Sequence, residues 1–92
     1  RRLKERFEQL GCAQYLMHRT GHNIGHRCHG IGANLDDYET HDDRCLLPGT
    51  MFSIEPGLYT DKYGVRLEYD VHITSEGETK VYGPVQDEIL VI

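Results

Sequence analysis

Four of the six histidines of this chain fall within twelve positions, in the stretch His18-Arg-Thr-Gly-His-Asn-Ile-Gly-His-Arg-Cys-His29. Any chemistry in the sequence starts with those imidazoles, which bind metals and exchange protons near neutral pH. His18, His22 and His26 stand four apart, so on a helix they would stack on one face, as helical metal ligands do. Gly21 and Gly25 argue against that helix, because each interior glycine costs roughly 1 kcal/mol relative to alanine. Gly30 and Gly32 follow at once. The better reading is a strand running into a glycine-rich turn. His18 and His22 then share a side of the strand, and the glycines let the backbone pass close to a neighbour. Cys28 with the adjacent histidines offers the thiolate and imidazole donors that zinc takes, although a buried free thiol is the commoner role of a cysteine.

The elements that must position these side chains are short. Leu3, Phe7 and Leu10 recur at i, i+4 and i+7 among charges, which predicts an amphipathic helix over residues 1–10 ended by Gly11. That helix opens without a capping residue and the chain begins on Arg1 rather than Met. Both features make this sequence, a single unit over residues 1–92, read as the carboxyl-terminal piece of something longer. Tyr15 to His18 reads as a short buried strand, and residues 30–44 as a long polar loop. The five acidic side chains of that loop lack the spacing of a calcium-binding hand and read as solvated. Leu46 to Gly49 is a turn. Met51 to Glu55 then alternates, with Phe52 and Ile54 on one side and Ser53 and Glu55 on the other, until Pro56-Gly57 stops it. Val65 to Thr74 alternates strictly over ten residues and predicts one long strand. A hairpin turn at Ser75-Glu-Gly77, a return strand over 78–82 and a short apolar strand over 88–92 complete an α+β fold, one helix on a curved, mostly antiparallel sheet.

Composition removes several function classes. Ninety-two residues make one small domain, which buries only about two thirds of the surface of its unfolded chain, so a sizeable enclosed active site is hard to build from it alone. A formal charge of −5 disfavours nucleic acid or an anionic membrane as partner. No apolar run approaches the ~20 residues of a membrane span, and no signal peptide is visible. Cys12, Cys28 and Cys45 are odd in number and contain no Cys-x-x-Cys pair, which fits reduced thiols and a cytoplasmic location better than a disulfide framework.

Three motifs in order resemble those of the pita-bread metallopeptidases, the family of the Xaa-Pro aminopeptidases, prolidases and methionine aminopeptidases. They are His18-Arg-Thr-Gly-His22 with His29 seven residues on, Phe52-Ser-Ile-Glu55-Pro-Gly-Leu-Tyr59, and Gly64-Val-Arg-Leu-Glu68. The first two look more like the Xaa-Pro and prolidase branch than the methionine branch. The resemblance implies that the chain is the second of two pseudo-symmetric units, the amino-terminal half of the domain lying elsewhere. It implies His22, Glu55 and Glu68 as ligands of two divalent metal ions, with Glu68 bridging them. Manganese, cobalt, iron and zinc all suit one nitrogen among carboxylates. His29 and His18 match imidazoles on the substrate side, and Arg66 a basic residue that orients the site. Glu55 would also relay a proton. Two further aspartates of the family's ligand set, in an Asp-x10-Asp pattern, precede the histidine motif. Asp36-Asp37 and Asp42-Asp43 follow it and cannot supply them. These 92 residues alone are therefore expected to bind metal weakly or not at all and to be inactive.

Departures from the family pattern gather on the substrate side. Asn23 stands where glycine is frequent, and asparagine is the residue after glycine that best tolerates a positive φ. His26-Arg-Cys28 replaces a run of different character, and Gly30 follows His29 where an acidic residue is typical. Two functions fit. One is a dinuclear metal-dependent exopeptidase that hydrolyses the Xaa-Pro bond of short peptides, as aminopeptidase or dipeptidase, in a parent compatible with a homodimer. The other is a non-catalytic peptide- or protein-binding member of the same fold. Taken singly, His22, Glu55 and Glu68 would be ordinary polar residues, but together and in motif context they favour the enzyme. A histidine-rich metal-storage module explains neither carboxylate motif.

Overall fold

A computed structural model describes residues 2–92. The predicted helix is present as α1, Arg2–Gln9, and Gly11 ends it at φ 70°. The amide of Gly11 bonds the Glu8 carbonyl at 3.0 Å and that of Cys12 the Phe7 carbonyl at 3.0 Å, which satisfy two carbonyls of the last turn. Phe7 is half-buried and no residue of α1 is fully buried. The expected strand over Tyr15 to His18 does not form. Local bonds from Tyr15 N to Cys12 O and from Leu16 N to Ala13 O instead close a 3-10 turn over Ala13–Tyr15, against which α1 packs.

Six strands follow. β1 (Asn23–Ile24), β2 (Met51–Ile54), β5 (Tyr69–Ile73) and β6 (Thr79–Tyr82) form one antiparallel sheet in the order β1-β2-β5-β6. β3 (Gly57–Tyr59) and β4 (Gly64–Arg66) form a two-stranded ribbon. The hairpin turn expected at Ser75 to Gly77 is there, with Gly77 at φ 82°. The single strand expected from Val65 to Thr74 is instead split into β4 and β5, with Leu67 and Glu68 between them. Pro56 on the facing segment has no N–H, so the ladder cannot run through that point. Val65 and Leu67 are 48% and 42% exposed. The terminal strand expected at 88–92 is absent too. Gly83, at φ 93°, and Pro84 turn the chain off the sheet edge, and Ile89 to Ile92 lie exposed.

Register explains which side chains meet. Partners across an antiparallel pair share a face. Asn23, Phe52 and Val71 are successive partners, and all three are buried. The opposite face carries Ser53 and its partner Asp70. Beyond β1 the pairing continues without regular strand geometry. The Ser53 amide bonds the His22 carbonyl at 2.9 Å and the Glu55 amide the Thr20 carbonyl at 2.6 Å. The histidine segment thus runs beside β2, although only Asn23–Ile24 of the expected strand has regular strand geometry.

Gly21 sits where that approach is tightest. A Cβ there would overlap the carbonyl oxygen of Ser53 and press on the Leu35 side chain. Backbone cannot yield as a side-chain end can, so Gly21→Ala is expected to cost roughly 3 kcal/mol of stability. Gly25→Ala, whose Cβ would meet its nearest neighbour at an ordinary 3.4 Å, is the control. Equal denaturation midpoints for the two variants would contradict this packing.

Candidate functional site

The break between β2 and β3 builds the site. Ile54 pairs with Tyr69 and Gly57 with Arg66, so the same register sets Glu55 directly opposite Glu68. Like charges facing each other across a ladder destabilise it, which makes the pairing costly without a cation. Glu68 is an exposed residue, yet its carboxyl loses enough water to push its pKa up, and the neighbouring Glu55 carboxyl pushes it further. The positive charge of Arg66 acts the other way. His22 completes the group from β1's side. Its Nε2 lies 3.4 Å from Glu55 Oε2, and one ligand atom each from His22, Glu55 and Glu68 lie within 4.8 Å of one another.

One imidazole and two carboxylates around a single point fit a hard or borderline divalent cation. The other nitrogen of His22, Nδ1, is 3.0 Å from the Asn23 carbonyl oxygen. Such a bond sets the tautomer and leaves the Nε2 lone pair free. The amide of His22 donates to Ser53 Oγ at 3.1 Å, which ties the ligand-bearing segment to a fully buried side chain.

The remaining candidates divide. His29 is exposed and stacks obliquely on His22, their ring centroids 4.3 Å apart. His18 stands outside the three-residue group, with Nε2 at 2.8 Å from the Tyr59 hydroxyl and Nδ1 at 2.7 Å from the Arg19 carbonyl oxygen. A carbonyl can only accept, so Nδ1 carries the proton and Nε2 accepts from Tyr59. His18, His22, His29, Glu55 and Arg66 line one cleft of about 460 Å³. Asn23 departs from expectation. No described residue other than glycine has a positive φ, and Asn23 is buried away from that cleft. Its amide side chain accepts from Gly32 N at 3.0 Å and donates to Met51 O at 3.2 Å, pinning the glycine-rich loop to the sheet.

Two positioning residues lie inside the motifs, although nothing in their spacing shows what they hold. The Tyr59 hydroxyl reaches His18 across 41 positions. Arg19 is the other. Buried to 7% exposure, its guanidinium donates to the carbonyls of Asp36 and Thr40 and to Thr40 Oγ1, holding the long loop beside the cleft. Two of the loop's acids are structural rather than merely solvated. Asp36 accepts from Thr20 N at 2.7 Å and Asp42 from Asn34 N at 2.9 Å. The Arg44 guanidinium beside Asp42 holds that carboxyl well below the usual range.

Comparison with known proteins places this geometry. The chain is 39% identical over 75 residues to a probable dipeptidase, PepE, of Mycobacterium tuberculosis, covering 79% of this chain and 19% of the relative. Among solved structures it matches the Xaa-Pro dipeptidase from Bacillus anthracis at 31% identity and TM-score 0.75, over 97% of this chain and 24% of that one. It matches the prolidase from Pyrococcus horikoshii at 28% identity and TM-score 0.78, over 95% and 24%. The α+β fold shared with them is the pita-bread fold, here with an open sheet, and the chain spans about a fifth of the length of its curated relatives. The profile of metallopeptidase family M24 matches residues 1–75, and the chain belongs to that family.

Proposed function

We propose that the full-length protein containing this chain is a metal-dependent exopeptidase that hydrolyses the Xaa-Pro bond of short peptides. The observation that carries the reading is the convergence of His22, Glu55 and Glu68 beside a cleft lined by further imidazoles and a guanidinium. The specificity for proline is supported by the Xaa-Pro dipeptidase and prolidase among the structural relatives.

In this reading His22, Glu55 and Glu68 would hold a pair of divalent cations together with ligands from outside these 92 residues. When bound, such cations supply an acidified water and polarise the scissile carbonyl. The chain's own residues do the rest. Glu55 accepts a proton and passes it on to the leaving amine. His29, exposed on the cleft wall against the His22 ring, donates a hydrogen bond to the oxygen on which negative charge develops. His18 holds a fixed orientation against Tyr59 and faces the substrate from the same wall. Arg66 favours the ionised form of Glu68. With three ligands only, the 92 residues alone bind manganese weakly and cleave nothing.

The test uses full-length protein loaded with manganese, offered an Xaa-Pro peptide and its Xaa-Ala counterpart. Cleavage before proline, with the alanine peptide left largely intact, is the expected result. If manganese raises the thermal midpoint but neither peptide is cut, the metal site stands and the peptidase reading is wrong.

A further inference from the structure

We propose that His22, Cys28 and His29 form a second metal site, selective for a zinc-like cation, which takes His22 away from the carboxylates and so excludes a cation from the site described above. One ligand atom from each of these three residues lies within 4.8 Å of the others. The arrangement comes from the backbone. Gly25 N bonds the Arg27 carbonyl at 3.1 Å and Gly30 N the Asn23 carbonyl at 2.8 Å, so residues 25–30 fold back over β1 and return Cys28 and His29 to His22. The rings of His22 and His29 are already in contact.

Two chemistries thus compete for one atom. Because His22 Nδ1 is engaged by the Asn23 carbonyl, only Nε2 has a lone pair to give, and that nitrogen is the one facing Glu55. A single imidazole lone pair serves one cation at a time. Glu55 and Glu68 offer His22 two carboxylate neighbours, hard donors that suit manganese. Cys28 and His29 offer it a thiol and a second imidazole, the donor set that zinc takes at about 2.3 Å for sulfur and about 2.0 Å for nitrogen. Cys28 and His29 are exposed, so small side-chain rotations can draw the group in to those distances, with water as fourth ligand. Occupation withdraws both His22 and His29, and the protein becomes zinc-inhibited through a cysteine that takes no part in hydrolysis. That regulatory consequence rests on the peptidase reading, whereas the site itself does not.

Cobalt(II) is the probe, because thiolate ligation to it produces an intense near-ultraviolet charge-transfer absorption that carboxylate and imidazole ligation does not. Reduced full-length protein titrated anaerobically with cobalt is expected to show that absorption. It should persist in Glu68→Ala, vanish in Cys28→Ser, and be displaced by zinc. Absence of the band, or an undiminished band in Cys28→Ser, overturns the site. In the manganese-loaded enzyme, Cys28→Ser should require about tenfold more zinc for half-inhibition, on the scale of losing one metal-supporting group. Equal zinc sensitivity of the two proteins overturns the exclusion. A band that behaves as expected in a protein that cleaves no proline peptide keeps this site and removes the peptidase reading instead.

Discussion

Replacing Glu68 with alanine in the full-length protein is expected to remove bound manganese and hydrolysis of an Xaa-Pro peptide together. Glu68 faces Glu55 through the shared register of β2–β5 and β3–β4, so its loss leaves one carboxylate and one imidazole where three donors converged. The same change relieves a repulsion, since the Glu55 carboxyl is one of the causes that raise the Glu68 pKa. Metal-free Glu68→Ala should accordingly be no less stable than the parent. Metal content by elemental analysis, turnover and the metal-free thermal midpoint separate a lost ligand from a lost fold. A variant that keeps its manganese would show that the carboxylate pair is not the cation's seat.

His29→Ala is expected to do the opposite to metal content. The His29 ring lies against His22 but outside the carboxylate group, so manganese should remain while turnover falls. Removing one donor to a developing oxyanion costs about 3 kcal/mol of transition-state stabilisation, a hundredfold or more in rate. The loss should appear in kcat rather than in KM, because the bond strengthens only as charge develops. His29→Ala turning over at the parent rate would assign the oxyanion contact to another group.

How far the site could be read from residues alone depends on how local each cause is. The helix over 2–9 was legible because its apolar spacing and Gly11 stop are local, and Gly11 closes it with a positive φ. The strand at 69–73 and the turn at Gly77 were legible for the same reason. Glycine at 21 was readable as a place of close approach, but not what it approaches. Ser53 lies 32 positions on, and its carbonyl arrives there only through the β1–β2 register.

Periodicity misled where the partner strand changes. Val65 to Thr74 alternates without a fault, so the sequence by itself determined which of these residues share a face, and Glu68 does fall on the side of Asp70 and Ser53. It did not determine that the ladder breaks at Leu67-Glu68, because the cause is Pro56, on another segment and lacking an N–H to donate. The 88–92 strand failed similarly, since apolar character makes a strand only where a neighbour supplies hydrogen bonds, and Gly83 directs the chain away. The sequence therefore determined the donor types, their order and their parity. Only the tertiary structure decided that Glu55 confronts Glu68, that His22 offers Nε2 rather than Nδ1, and that Arg19, Tyr59 and Asp42 brace the surroundings, because each is a pairing between segments whose spacing along the chain carries no trace of it.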